Sequence, residues 1–233
     1  MGESVRVCFF SHFSCNIYGD CVPLHDEING AMKLILLTSP NFFVEEDKIL
    51  TTLFEEGLDV LHVRKPGAEP VYCERLLSLI PQQYHQRIVV HDHFYLRDEF
   101  DLLGIHLSKR HPEAPAGYNG PKTRTCYSLE ELKQYKDECQ YILLRNVFDS
   151  ISEPDNVASF QPDELRRALV EGLISKKVIA EGGISLERMD EVRDMGFGGA
   201  AVRGDLWKRF NMHSGMDFKD LIAHFRKLRK AAG

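Results

Sequence analysis

The sequence predicts an α/β protein that folds as a single (β/α)8 TIM barrel behind an N-terminal extension. Between residues 34 and 203, eight short apolar runs recur, and helix-like stretches or loops separate them. Continuous runs rich in leucine and β-branched residues are typical of strands buried on both faces, as in parallel sheets. Polar residues end most of the runs, and in such barrels the carboxyl ends of the strands carry the functional site. Eight alternating units therefore favour a closed barrel with a polar mouth.

The eight predicted strands are short, and all of them end at the mouth of the barrel. They cover residues 34–37, 60–64, 88–92, 104–107, 123–127, 141–145, 178–181 and 200–203. Because the strands are parallel, their last residues meet at the same end of the barrel. The side chains expected there are Arg64, His91, Asp92, His106, Tyr127, Arg145, Glu181 and Arg203.

The helices between the early strands have recognisable ends. Apolar residues recur with helical spacing over residues 44–56, and Gly57 is placed to end that helix as a C-cap. A second helix is predicted over residues 69–79, before Pro81. Only residues 94–101 link the third and fourth strands, so we expect their helix to be reduced to a turn or two.

Serine caps mark two helices in the second half of the chain. Ser128 is followed three residues later by Glu131, which predicts a capping box. Ser185 opens a helix that is expected to end near Gly196, and a closing amphipathic helix is predicted over residues 218–230. Lysine and arginine crowd the last turns of that closing helix, as the helix dipole favours.

Two long loops are predicted, over residues 109–122 and 146–162. Both follow strands, so they belong to the end of the barrel that carries the mouth. Long loops in this position are usually functional.

Composition indicates a soluble globular protein with one large core. The chain has 233 residues, of which 43% are hydrophobic and 27% charged, and its formal net charge is -6. This balance argues against electrostatic binding of nucleic acid, and no apolar run approaches the roughly 20 residues that span a bilayer. Six cysteines without paired spacing favour reduced thiols and a cytoplasmic location.

The first 31 residues stand apart from the barrel pattern. The first predicted strand follows Met32 directly, so we interpret residues 32–233 as the barrel domain. Residues 1–31 are then expected to be a disordered extension or the product of an upstream start codon. The short apolar segment near the amino terminus is a poor match to a secretory signal, because an acidic residue precedes it.

Glycine-rich turns after the last two strands predict a phosphate site. Gly182 and Gly183 follow the seventh strand, and Arg203 and Gly204 follow the eighth. TIM barrels commonly hold phosphate at these two turns, where backbone N–H groups approach the oxyanion. The alternative is that the glycines only permit tight turns. We favour phosphate binding because of the position in the barrel.

Other strand-end residues suggest further anion and metal contacts. Arg64 and Lys65 follow the second strand, and guanidinium groups bind phosphate oxygens in bidentate fashion. Asp92 follows the third strand and is a candidate Mg²⁺ ligand, although a strand-end aspartate can equally cap a helix. His106 alternates with apolar residues and is better interpreted as a hydrogen-bonded interior histidine.

Several segments resemble motifs of the thiamine phosphate synthase and thiazole tautomerase superfamily. The resemblance covers residues 33–210, with the motifs in order and at the expected strands. The matching segments are residues 61–64 (LHVR), 91–92 (HD), 101–107 (DLLGIHL), 125–131 (TCYSLEE), 140–148 (QYILLRNVF), 179–184 (IAEGGI) and 196–202 (GFGGAAV).

The resemblance implies an enzyme acting late in thiamine biosynthesis. Synthases of this family join a thiazole phosphate to hydroxymethylpyrimidine diphosphate and release pyrophosphate, with Mg²⁺ as the cofactor, and often form homodimers. By motif, Arg64 would contact the diphosphate and Asp92 would bind Mg²⁺. The turns at Gly182-Gly183 and Arg203-Gly204 would hold the thiazole phosphate.

This chain departs from the synthase pattern at several positions. His62 replaces a glutamine, and Pro66 stands where a lysine is usual, so Lys65 is the substitute one residue earlier. Residues 108–111 (SKRH) supply no second metal-binding aspartate. After the sixth strand, Glu153 stands near the place of another expected lysine.

Two alternative functions therefore remain open. Thiazole tautomerases carry a His-x-Arg motif, which His62 and Arg64 match, but their proton-transferring histidine corresponds to Tyr127 here. Tyrosine, with a pKa near ~10, is a poor proton shuttle at neutral pH. His62, His91 or His106 could serve instead. The third possibility is a barrel that binds thiamine precursors without catalysis.

Overall fold

The chain forms a closed barrel of eight parallel strands, which confirms the predicted TIM barrel. We describe it from a computed structural model, which covers residues 13–15, 21–23, 31–153, 155–210 and 218–233. Two short strands, β1 (Phe13–Cys15) and β2 (Cys21–Pro23), pair antiparallel. The barrel strands are β3 (Lys33–Leu37), β4 (Val60–Val63), β5 (Ile88–Val90), β6 (Gly104–Leu107), β7 (Lys122–Cys126), β8 (Ile142–Arg145), β9 (Val178–Glu181) and β10 (Gly199–Val202).

Helices separate the barrel strands, as predicted, except between β6 and β7, which a long loop connects. They are α1 (Glu46–Glu55), α2 (Pro70–Leu79), α3 (Leu96–Glu99), α4 (Leu129–Tyr135), α5 (Pro162–Val170), α6 (Met189–Asp194), α7 (Gly204–Trp207) and α8 (Lys219–Ala232), with 3-10 helices at Gln82–Arg87 and Leu186–Arg188. The link between β5 and β6 holds a single helical turn, as expected from its length.

The two serine caps differ in the structure. The Ser128 hydroxyl accepts a hydrogen bond from the Glu131 N–H (3.2 Å), which confirms the predicted cap. Ser185 also stands at the N-cap of its helix, as predicted, but its side chain accepts no capping hydrogen bond. The Leu186 N–H donates instead to the Asp205 carboxylate (3.2 Å), and the segment begins as a 3-10 helix.

The barrel encloses a small apolar core, and a larger core lies between strands and helices. The side chains of a barrel strand alternate between these two cores. The inner cluster consists of Ile35, Leu37, Val60, Val89, Tyr141, Leu143, Ile179 and Ala201. The polar mouth lies above this inner cluster.

Most of residues 1–31 lie outside the described residues, so their expected disorder stays a prediction. The end of α8 is held against the start of β3, because the Met32 N–H donates to the Ala232 carbonyl (2.8 Å). Strand β10 pairs with β3 in parallel, with Ala201 opposite Ile35. Among the described residues, no helix has the length and apolar character needed to cross a membrane.

Candidate active site

The carboxyl ends of β8, β9 and β10 surround a small pocket. It includes the four residues predicted to bind phosphate: Gly182, Gly183, Arg203 and Gly204. The remaining lining residues are Leu37, Arg145, Ser150, Ile151, Ser152, Glu181, Ile184 and Ala201. The structure therefore brings both glycine turns and two arginines to one place.

Both glycines after β9 are required by backbone geometry. Gly182 and Gly183 have φ of +97° and +67°, a region that favours glycine. A Cβ atom on Gly183 would lie 2.3 Å from the Asp149 carbonyl oxygen. The turn thus packs directly against the loop that follows β8. In the described part of the chain, the Gly183 N–H donates no hydrogen bond, and it remains available to a ligand.

Gly183→Ala is expected to destabilise the protein more than Gly67→Ala. Gly67 has a similar φ of +73°, but a Cβ atom added there would meet nothing within 4 Å. The left-handed backbone alone should cost about 1–2 kcal/mol in both variants. The clash with Asp149 adds to this only at Gly183. Urea unfolding of the two variants measures the difference, and equal losses would contradict the close packing.

Glu153 bridges two arginines at the edge of this pocket. Its Oε1 accepts from Arg203 Nη2 (2.6 Å) and its Oε2 from Arg145 Nη2 (3.1 Å). Arg203 also donates to the Ser152 hydroxyl (2.8 Å). Partial burial acts to raise the pKa of Glu153, but the hydrogen bond and charge of Arg203 outweigh it and lower that pKa. A carboxylate thus holds the arginines where a phosphate could contact them.

Arg64 is a cation without a side-chain partner in the described part of the chain. Its backbone is fixed by Thr38, whose hydroxyl accepts from the Arg64 N–H (3.0 Å) and donates to its carbonyl (3.1 Å). Burial lowers the pKa of Arg64, and the positive charges of Arg203, Arg145 and Arg110 lower it further. The Glu181 charge opposes this shift. Among the described residues, Arg64 forms no ion pair, whereas the other three arginines pair with Asp92, Glu153 or Glu181.

Lys65 points away from the arginines. Its Nζ binds both carboxylate oxygens of Glu46 (2.6 and 2.7 Å) and the Asn41 carbonyl (3.1 Å), and it lies over the Phe42 ring. The Lys65 side chain is 0% exposed. Strand alternation explains this direction, because successive residues point to opposite sides. Lys65 therefore anchors α1, and the structure does not bring it to the pocket.

Asp92 uses both carboxylate oxygens within the protein. Its Oδ2 accepts from Arg110 Nη2 (2.6 Å) and its Oδ1 from His111 Nε2 (2.9 Å). In the described residues it belongs to no group of three histidine, cysteine or acidic ligands. A single carboxylate already paired with a guanidinium is a poor fit to Mg²⁺, which needs free oxygen ligands in octahedral geometry. The predicted metal role of Asp92 is thus unsupported by its surroundings.

Three buried histidines form a cluster beneath the mouth: His62, His91 and His106. His62 contacts His91 (Nδ1 to Nε2, 2.8 Å), and its other nitrogen lies 2.7 Å from the Tyr141 hydroxyl. The rings of His91 and His106 stack at 4.1 Å. His106 lies 2.7 and 2.8 Å from the hydroxyls of two threonines of β7, Thr123 and Thr125.

The histidine cluster is neutral and internally hydrogen-bonded. Burial lowers the pKa of His62 to about 3, and burial together with neighbouring charges lowers those of His91 and His106. The ligand atoms lie within 4.8 Å of one another, a spacing that a metal could bridge. However, both ring nitrogens of His62 and His106 already have hydrogen-bond partners. The interpretation of His106 as an interior histidine agrees with this geometry.

Acid is expected to destabilise the folded protein through this cluster. The unfolded histidines bind protons below a pKa of about 6.5, whereas folded His62 does so only near pH 3. Stability should therefore fall as pH drops from 6.5 towards 3, by up to about 1.4 kcal/mol per pH unit for each histidine. His62→Gln should reduce this slope in urea unfolding. Equal slopes in the variant and in the unchanged protein would contradict this prediction.

Tyr127 lies half-buried at the mouth, with Lys109 Nζ 4.0 Å from its ring centre. Burial raises the pKa of Tyr127, and the nearby Glu181 charge raises it further.

Two features of this end of the barrel were not predicted: the Arg110–Asp92 pair and the bridging role of Glu153. Neither has a signal in the sequence, because both depend on how long loops return to the strands.

The fold and the arginine-rich mouth define an α/β barrel with a cation-lined pocket at the carboxyl ends of its strands. Comparison with known proteins identifies the family to which the chain belongs. The chain belongs to the thiamine monophosphate synthase family, whose model matches residues 34–206. The resemblance inferred from the sequence is thereby confirmed.

Solved structures agree with this assignment. The chain is similar to a thiamine phosphate pyrophosphorylase from Bacteroides thetaiotaomicron, with 48% identity and a TM-score of 0.80 over 86% of this chain and 98% of that one. A thiamine phosphate pyrophosphorylase from Pyrococcus furiosus shares the fold, with 21% identity and a TM-score of 0.67 over 86% and 95% of the two chains. A comparison with curated proteins finds no match.

Proposed function

We propose that this protein is a thiamine phosphate synthase, a transferase that joins hydroxymethylpyrimidine diphosphate to thiazole phosphate and releases pyrophosphate. The observation that carries the proposal is the placement of Arg145 and Arg203 in the pocket at the glycine turn after β9, with Arg64 at the same end of the barrel, directly after β4. Both substrates are phosphorylated, and such a mouth suits two anionic groups. Membership of the family and 48% identity to a thiamine phosphate pyrophosphorylase support the same reaction.

In this proposal, the two parts of the mouth bind different phosphorylated groups. The pocket of Gly183, Arg203 and Gly204 would hold the thiazole phosphate through backbone N–H groups and a guanidinium. Arg64, which has no partner among the described side chains, would bind the diphosphate. As the bond from carbon to diphosphate breaks, negative charge grows on the leaving group, and a fixed cation stabilises it. Holding both substrates together supplies much of the remaining acceleration.

The other predicted catalytic residues take supporting roles in this proposal. His62 is buried and would act by holding His91 and the floor of the barrel. Tyr127 would line the mouth. Mg²⁺, when bound, would neutralise the diphosphate, but Asp92 offers it a carboxylate that is already occupied, and no step is assigned to the metal. The homodimer implied by the resemblance and the cytoplasmic location inferred from the cysteines stay predictions.

Pyrophosphate release from the two substrates, with Mg²⁺ and with EDTA, tests this function. We expect release that requires both substrates and is lost on replacing Arg64. Proton exchange on thiazole phosphate alone would instead identify the tautomerase, which the His62-x-Arg64 motif favours. Thermal stabilisation by the substrates without turnover would identify a binding protein. Either result would overturn the synthase proposal.

A further inference from the structure

We propose that Arg110 takes the place of a metal ion in this site and, together with Arg64, binds the diphosphate without a divalent cation. The inference rests on the proposed function for the identity of the ligand, and it adds how this chain neutralises that ligand. It starts from the surroundings of Asp92, which differ from those that a magnesium ion requires.

The Asp92 carboxylate has a partner on each oxygen, and one of them is the Arg110 guanidinium. Arg110 donates at 2.6 Å and His111 lies at 2.9 Å, and the Asp92 side chain is 15% exposed. A Mg²⁺ ion on this carboxylate would face the Arg110 positive charge at close range. In the described residues, Asp92 belongs to no group of three metal-ligating side chains that could compensate for it. The guanidinium and the metal therefore compete for the same ligand.

The loop that follows β6 holds Arg110 in place. The Ser108 N–H donates to the His111 carbonyl (2.9 Å), which closes a tight turn around Arg110. The His111 ring packs edge-on against Phe94, with ring centres 5.5 Å apart. Both ends of the turn are thus fixed, and Asp92 orients the guanidinium between them. In this account Asp92 is a positioning residue.

Arg110 retains donors for an anion after pairing with Asp92. A guanidinium has five N–H donors, and the contact with Asp92 uses Nη2. The Arg110 side chain is 37% exposed, so its other donors are accessible to a ligand from solution. Arg64 follows β4, and Asp92, which holds Arg110, follows the neighbouring strand β5, so both cations lie at the same end of the barrel. Two guanidinium groups can bind adjacent phosphate groups of a diphosphate.

Calorimetric titration of the full chain with inorganic pyrophosphate, in EDTA and in Mg²⁺, tests the inference. We expect binding in EDTA that Mg²⁺ strengthens by less than about threefold, and a loss of about tenfold or more in Arg110→Ala under EDTA. Arg226→Ala removes a surface arginine paired with Glu56 and should bind as the unchanged protein does. Arg110→Asp should bind pyrophosphate only when Mg²⁺ is added, because it supplies a second carboxylate.

Two results would overturn the inference: binding that requires Mg²⁺ in the unchanged protein, or binding in EDTA that Arg110→Ala leaves intact. Melting temperatures of the variants, measured alongside, separate loss of binding from loss of folding. The test is independent of the reaction. Metal-free binding of pyrophosphate without turnover would support this inference and refute the synthase proposal. Turnover that strictly depends on Mg²⁺ would support the synthase proposal and refute this inference.

Discussion

Lys65→Met is expected to lower the free energy of unfolding by about 3–5 kcal/mol, because it leaves a buried carboxylate without its counter-charge. Lys65 Nζ lies 2.6 Å from a Glu46 carboxylate oxygen, and the two side chains are 0% and 2% exposed. Burial raises the pKa of Glu46, and the Lys65 charge opposes that rise. Urea unfolding at neutral pH measures the loss.

The matched control is a surface ion pair at the start of α1, the helix that carries Glu46. Lys48 pairs with Glu45, and its side chain is 62% exposed, so Lys48→Met should cost no more than about 1 kcal/mol. The double variant Lys65→Met with Glu46→Leu should recover most of the stability, since no charge remains buried. If Lys65→Met is as mild as Lys48→Met, the buried pair is absent and Lys65 is free for the catalytic role predicted from sequence.

Arg64→Ala is expected to reduce kcat/KM for pyrophosphate release by at least about 100-fold, equivalent to about 2.8 kcal/mol. Hydrogen bonds to charged groups contribute about 1.5–3 kcal/mol each, and a guanidinium can form two with a diphosphate. Arg64 is half-buried and has no side-chain partner among the described residues, so its removal should leave the fold intact. Steady-state kinetics with both substrates provide the measurement.

Two further variants interpret the Arg64 result. Arg64→Lys keeps the charge but loses the bidentate geometry, and we expect an intermediate rate. Arg226→Ala, on the outer surface of α8, should turn over as the unchanged protein does. If Arg64→Ala retains most of its activity, the diphosphate is bound elsewhere in the mouth and the assignment fails.

The barrel could be predicted because its signals are local. Buried parallel strands require continuous apolar runs, and glycine at a helix end marks a stop, as Gly57 does with φ of +94°. The absence of a capping hydrogen bond from Ser185 could not be predicted, because the start of that helix is bound from elsewhere in the fold. Asp205, which follows β10, binds the Leu186 N–H, and a carboxylate 19 residues away leaves no trace in the local pattern.

The candidate site was predictable to the extent that strand ends define it. The turns at Gly182 and Gly204 and the arginines Arg64 and Arg203 converge as expected from parallel strands. The direction of Lys65 was also accessible, because residues next to each other at a strand end point to opposite sides. The hydrogen-bond partners of the mouth residues could not be predicted, because they come from long loops whose course cannot be inferred from local sequence patterns.

The histidine cluster could be predicted from the sequence only in part. Thr123 and Thr125 alternate in β7, so they share a face, and His62 lies on the matching face of β4. Their shared interior could have been inferred from period-two patterning. The stacking of His91 on His106 could not, because it depends on the register between β5 and β6.

Direct detection of thiamine monophosphate by mass spectrometry tests the central claim. Purified full-length protein is incubated with hydroxymethylpyrimidine diphosphate and thiazole phosphate, and product is quantified against released pyrophosphate. We predict equimolar thiamine monophosphate and pyrophosphate, with neither formed when one substrate is omitted. Absence of thiamine monophosphate while both substrates bind the protein would contradict the assignment of synthase activity to this barrel.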